Sequence, residues 1–385
     1  MKHLLLGYER GNHRIRAMKT ALEELGQSVT IVTTNFEEVT EKHDRIWTLS
    51  ESLLPIQAKY DELWNINDMS TTAANTLTNK KAFDDFCIDV GLGEIIPKSV
   101  IPLSVEDIFD GQVIIKPTIG SGTKLDGLSY TSYYSKEELL ANLDENFFEI
   151  NKTGFINTKF NNCLTHYMVQ EKLPFESNIW CPYSYIDESK ARILFWIRGR
   201  QQRVIKNNNQ FLDHPSSFMV VEEEDVPSKV IEYADVLFNH VQESLKVRNI
   251  FFSGPDFFDH EGKVKFIDCN PRIGQGVQLT NDLQPGFISK IMSGEQVKVK
   301  NKWLWHVANL KPGRIKNIAD YSHLNQYIVQ ETSRKLTKGR VITEQSNLSD
   351  STFNFNFIVT GKDEPDMYNT YRAVQTEFQN LIEYC

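Results

Sequence analysis

Residues 254–276, GPDFFDHEGKVKFIDCNPRIGQG, hold the side chains best suited to chemistry. Asp268 and Asn270 lie two residues apart on an apolar, strand-like run, so they point to one face. Asp256 precedes the turn residues Asp259, His260, Glu261 and Gly262, and its even spacing allows it to share that face in a β-hairpin. Two carboxylates and an amide oxygen make a hard donor set of the kind that suits Mg²⁺, which usually keeps nucleotide phosphates in its shell. Arg272, two residues beyond Asn270, is near enough to meet an anion bound to such an ion. Acids beside a hairpin turn are commonly solvated surface. Asp268, however, ends a strongly apolar strand, where an unpaired carboxylate is costly.

A second cluster suits phosphate. Lys116 ends the apolar strand 113–116, and Pro117 stops it. Then follows Gly120-Ser121-Gly122-Thr123-Lys124-Leu125-Asp126-Gly127, a glycine-rich loop whose backbone N–H groups can face phosphate oxygens. It lacks the G-x-x-x-x-G-K-[ST] pattern and the following helix of a P-loop, and taken alone it also reads as a hairpin turn. Lys80 and Lys81 open a helix expected over 80–90, capped by Thr78 and Asn79. Cations there oppose the helix dipole, so a ligand for one of them and a solvated lysine both remain open.

These groups need a scaffold. Strand 2–6, helix 14–25 with Ile15, Met18, Leu22 and Leu25 on one face, and strand 29–32 form a βαβ unit, which implies a parallel sheet. Its loop lacks G-x-G-x-x-G, so no dinucleotide site is read there. Residues 46–49 make a third strand. A capping box at Ser135 and Glu138 opens a helix, and 150–165 read as polar and irregular. Strand 167–171 leads into a linker at 171–176, then an antiparallel pair at 181–186 and 191–198. His214-Pro215 marks a loop, and Pro227 starts a helix running to about Val247. A short helix is expected near 285–293, strand-like runs from about Asn301, and a closing helix over 366–383.

At 385 residues, two or three domains are expected. The net charge is −9 and the densest basic run is only residues 198–203, which argues against nucleic acid as a partner. The five cysteines form no C-x-x-C pair and suit a reducing compartment. The apolar run at the start is too short for a signal peptide, and no stretch reaches membrane-spanning length, so a soluble cytoplasmic protein without a membrane partner is expected.

Four blocks occur in order: TNKKAF, VIIKPTIGSGTKLDG, MVQEKLPFES and GPDFFDHEGKVKFIDCNPRIG. Together they resemble the ATP-grasp superfamily of carboxylate–amine ligases over roughly residues 75–295. The resemblance implies a multidomain α/β and α+β fold: an N-terminal parallel α/β domain at 1–76, an ATP-grasp domain at 77–298 with a small lobe at about 110–175, and a C-terminal α+β unit at 299–385. It implies ATP and Mg²⁺, or Mn²⁺, as cofactors. Lys80 (or Lys81) and Lys116 would meet nucleotide phosphates, and Gly120, Ser121, Gly122 and Thr123 would cover them. The backbone of Glu171, Lys172 and Leu173 would pair with adenine, and Glu176 would take the ribose hydroxyls. Asp256, Asp268 and Asn270 would hold the metal, and Arg272 would steady an acyl phosphate. Arg203 matches a basic position facing the phosphates in biotin-carboxylase-like members, and reads equally as a surface arginine. Departures are Asp256 and Asp268, where the family often has Glu at one position, and Pro174-Phe175, where many members have Gly.

The implied activity is ADP-forming ligation of a small carboxylate, an amino acid among the candidates, to an amine. The layout resembles L-amino-acid ligases and biotin-carboxylase-like members, with a homodimer compatible with that resemblance. Trp303, His306 and Arg314 could contribute to the substrate pocket, or serve as core aromatics and a surface arginine. The alternatives are a bicarbonate-using carboxylase, whose glycine-rich first loop GYERGNH lacks, and a non-catalytic ATP-binding protein, against which intact Lys116, Asp268, Asn270 and Arg272 argue.

Overall fold

The computed structural model describes residues 1–8, 12–120, 131–157, 163–174, 178–207, 210–308, 310–329, 336–342 and 355–385, without the side chains of 12 and 202–215. The chain begins with β1 (Lys2–Leu6), α1 (Asn12–Glu24), β2 (Ser28–Val32) and β3 (Arg45–Thr48). They form the expected parallel sheet, in the order β2-β1-β3. Residues Leu4, Leu5 and Leu6 are fully buried in it. After a 3₁₀ turn at Glu51–Leu53 come α2 (Leu54–Trp64), α3 (Thr71–Thr78) and α4 (Lys80–Cys87). Asn79 caps α4 by accepting from the Lys81 and Ala82 amides, as its side chain suits. At Ile88, helix α4 passes into a π-helical turn, and Gly91, at φ +86°, breaks the helical backbone just past the expected residue 90.

Next come β4 (Ser99–Val100), β5 (Val113–Pro117), β6 (Ser132–Tyr133), α5 (Lys136–Leu140) and α6 (Phe147–Thr153). Ser135 caps α5, with Glu138 accepting from the Tyr134 amide. Strands β7 (Phe155–Asn157) and β8 (Cys163–Thr165) pair antiparallel, which corrects the irregular reading of 150–165. Then β9 (Tyr167–Glu171), β10 (Asn178–Ile186), β11 (Ala191–Asn207) and β12 (Gln210–Val221) follow. His214-Pro215 is not a loop; it lies within β12. Pro215 pairs with Gln201 beside a register shift at Arg200/Gln201, where a strand tolerates a missing N–H.

The rest comprises α7 (Ser228–Glu243), β13 (Ile250–Ser253), β14 (Asp256–His260), β15 (Lys263–Asp268), α8 (Gln275–Leu283), α9 (Phe287–Met292), β16 (Trp303–Val307), β17 (Gly313–Ile318), β18 (Val341–Ile342), β19 (Asn356–Thr360), α10 (Glu364–Asn380) and β20 (Ile382–Tyr384). One large sheet runs β15-β14-β10-β11-β12-β6-β5-β9-β4, with β13 on β10 and β16 and β19 attached through β12. Thus β16 and β19 of the C-terminal stretch are hydrogen-bonded into the central sheet, and β18-β17-β20 makes a separate small one. No helix among the described residues is long and apolar enough to cross a membrane.

Candidate active site

The hairpin expected at 254–276 forms as β14 and β15, turning on Glu261 (φ +52°) and Gly262 (φ +75°). A left-handed turn of this kind suits glycine and matches the strand twist. Asp256 pairs directly with Asp268 across the two strands, so both carboxylates leave the same end of the ribbon. Burial pushes the Asp256 carboxyl up to about 7, against a hydrogen bond with the Cys181 thiol, and the Asp268 charge pushes it further. Asn270 Oδ1 accepts from Arg272 Nη2 at 3.1 Å.

The lysines converge on this end. Lys116 leaves β5 almost fully buried, and its ammonium donates to the Ile267 carbonyl at 3.1 Å. Burial pulls it down to about 8, while Asp268 holds it up. Lys80 Nζ donates to the Gly120 carbonyl at 2.8 Å and lies 3.8 Å from Asp268 Oδ1. Lys81 instead pairs with Asp85 on its own helix. Two side chains that the sequence reading did not single out complete the cluster. Glu51, at 6% exposure, holds Arg272 Nε at 3.2 Å. Burial raises its carboxyl, and Arg272 opposes that shift most. Arg14 of α1 donates to the Ile273 carbonyl at 3.3 Å. Neither residue lies in a local motif: Glu51 follows β3 and its partner is in the loop beyond β15, so only the fold brings them together.

Glycines allow this approach. A Cβ on Gly274 would fall 2.3 Å from Ser253 Cβ, and one on Gly276 would fall 2.7 Å from Tyr183 Cζ. The loop carrying Arg272 can therefore pack against β10 and β13 only without side chains at these positions.

A narrow cleft between β9 and β15 is lined by Met168, Gln170, Ile267, Asp268, Lys80 and Glu51. At its edge, the Glu171 and Lys172 amides already donate to the Lys98 and Gln112 carbonyls, at 2.8 and 2.9 Å. The Glu171 carboxylate lies 3.9 Å from Lys265 Nζ, and Leu173 is buried. Ser121, Gly122, Thr123 and Glu176 lie outside the described residues, as does the Arg203 side chain; the Arg203 backbone pairs with Asp213 in the long β11–β12 hairpin. From the C-terminal stretch, Trp303 is a core residue bonded to Thr280, His306 stacks on Tyr371 at 4.0 Å, and the exposed Arg314 donates to the Gly339 carbonyl.

The donor set fits a hard divalent cation. Two carboxylates on adjacent strands repel one another without one, and the Asn270 amide oxygen stands beyond them. Among the described residues no group of three or more His, Cys, Asp or Glu side chains could hold a metal, so the remaining ligands would have to be the amide, phosphate and water.

No family model and no curated protein matches the sequence. Solved structures match it along its whole length. An L-amino acid ligase from Bacillus licheniformis has 13% identity and TM-score 0.63, covering 100% of this chain and 98% of that one. A phosphoribosylglycinamide synthetase from Anaerococcus prevotii has 15% identity and TM-score 0.58, covering 100% and 99%. The N5-carboxyaminoimidazole synthetase from Staphylococcus aureus complexed with ADP has 10% identity and TM-score 0.60, covering 98% and 97%. With the order of blocks and the strand order both in place, the chain has the ATP-grasp fold.

Proposed function

We propose that the protein is an ADP-forming ligase that activates a small carboxylate with ATP and joins it to an amine. The observation that supports this most is the meeting of Lys80, Lys116 and Arg272, from three separate elements, around the Asp256–Asp268 pair. Solved structures with this fold include one named an L-amino acid ligase and one complexed with ADP.

In this reading the nucleotide enters the cleft between Met168 and Ile267, and the Leu173 amide serves the base. Lys80 and Lys116 place fixed positive charge on the phosphates, where negative charge shifts during transfer. Asp256, Asp268 and Asn270 would hold Mg²⁺ or Mn²⁺, which when bound neutralises and orients phosphate oxygens. The substrate carboxylate attacks the γ-phosphorus, the bond to the β-phosphate oxygen breaks, and ADP leaves. An amine then attacks the acyl carbon; phosphate leaves with the bonding pair, and the nitrogen loses a proton. Arg272, held by Glu51, presents its guanidinium to the acyl phosphate. Excluding water at this stage prevents hydrolysis.

The test is phosphate release from Mg·ATP over a matrix of amino-acid and amine pairs, with a bicarbonate arm. Release requiring both a carboxylate and an amine supports the ligase. Release with bicarbonate and no amino acid moves the assignment to a carboxylase, and silence throughout favours a non-catalytic ATP-binding protein.

A further inference from the structure

An unassigned cavity of about 540 Å³ lies where α2 ends and α3 begins, beside the segment that follows α7. It stands apart from the nucleotide cleft, with which it shares no lining residue. Its walls are polarised. On the floor, Asp61 is 1% exposed and neither carboxyl oxygen makes a hydrogen bond; the Gln57 amide and the Met69 N–H lie near without bonding geometry. Asp68 adds a second buried acid behind it, held by the Asn249 amide at 2.7 Å. At the rim stand two exposed cations, Lys246 and Arg248, and one exposed acid, Glu62, whose carboxylate accepts from the Thr71 amide at 2.7 Å.

A buried carboxyl facing a cavity, with no bonding partner of its own, keeps its proton until a cationic donor reaches it and takes that proton's place. The two rim cations outnumber Glu62, so the rim disfavours a simple polyamine and accepts an anion. The volume is within the range of small-molecule sites, about 300–1,000 Å³, and much larger than a bare ion needs. We propose that this cavity binds a small zwitterion of the amino-acid type, with its ammonium on Asp61 and its carboxylate at Lys246 and Arg248. The end of α2 favours the ammonium through its helix dipole, while the start of α3 is already taken by the Glu62 carboxylate. The site is separate from the proposed ligase centre and does not depend on it.

The test is calorimetric titration and thermal shift of the full chain with glycine, L-alanine, L-glutamine and 5-aminopentanoate, against butylamine and pentanoate. At least one zwitterion should bind about tenfold more tightly than butylamine or pentanoate. Asp61→Asn should weaken it about tenfold or more, and so should Lys246→Glu, an exposed change that keeps the test open if the buried variant does not fold. Asp268→Asn should leave it intact. The proposal is overturned if no zwitterion binds, if butylamine binds as tightly, or if binding survives both Asp61→Asn and Lys246→Glu. Loss in Asp268→Asn alone would assign the ligand to the nucleotide cleft and equally overturn it.

Discussion

Two pairs of acids divide this molecule. Asp256 and Asp268 face each other at the end of the central ribbon; Asp61 and Asp68 lie at a helix corner. Burial raises a carboxyl in both pairs, to about 7 at Asp256 and about 9 at Asp61. The difference lies in what surrounds them. Lys116 and Arg272 pull Asp256 down, whereas Asp61 is opposed mainly by the Gln57 and Met69 dipoles, with the Arg45 charge a lesser effect. An acid pair among fixed cations is arranged for an anion-bearing metal; one without them holds a proton that a bound cation can replace.

The comparison can be broken at several points. Lys116→Met removes a fixed charge from the first pair and should lower phosphate release by about 10²–10³-fold, the scale for losing one transition-state donor. Because that ammonium is buried and already pulled down to about 8, the thermal midpoint should not fall with it. Glu51→Gln should reduce turnover by about tenfold, the worth of one charge-assisted bond. It should leave ATP affinity unchanged, since Glu51 holds Arg272; a drop in affinity with constant turnover would contradict that assignment. Gly274→Ala forces a Cβ into Ser253 and should cost about 1–3 kcal/mol by urea denaturation, as overpacking does.

The last break concerns the second pair. Asp61 keeps its proton in the folded chain up to about 9, but gives it up near 3.8 when unfolded. The folded state thus binds more protons between those values, and stability falls as pH rises through that window. Asp61→Asn should flatten this slope in urea midpoints measured at rising pH; an unchanged slope would place its origin elsewhere.

The hairpin was legible because its signals are local: alternation, a turn ending in glycine, and acids at even spacing. The same holds for the Asn79 cap and the N-terminal βαβ unit. Helix α2 was not legible, since Leu54, Ile56, Gln57, Ala58, Tyr60, Asp61 and Trp64 are all buried and no single apolar face shows in its sequence. Glu51 escaped notice because its partner is distant in sequence. Pro215 read as a loop because a strand tolerates it only at a bulge, and bulges depend on the partner strand. The second cavity was hidden for the same reason: its floor and its rim come from opposite ends of the chain's first half and middle.

The account rests most on the paired acids of the ribbon holding a metal against nucleotide phosphates. Equilibrium binding of ATP with and without Mg²⁺, in the parent chain and in Asp268→Asn, tests this directly. The parent should bind ATP more tightly with Mg²⁺, and the variant should lose that gain while keeping its fold. Equal binding with and without Mg²⁺ in the parent chain, or a full Mg²⁺ effect in Asp268→Asn, would contradict it.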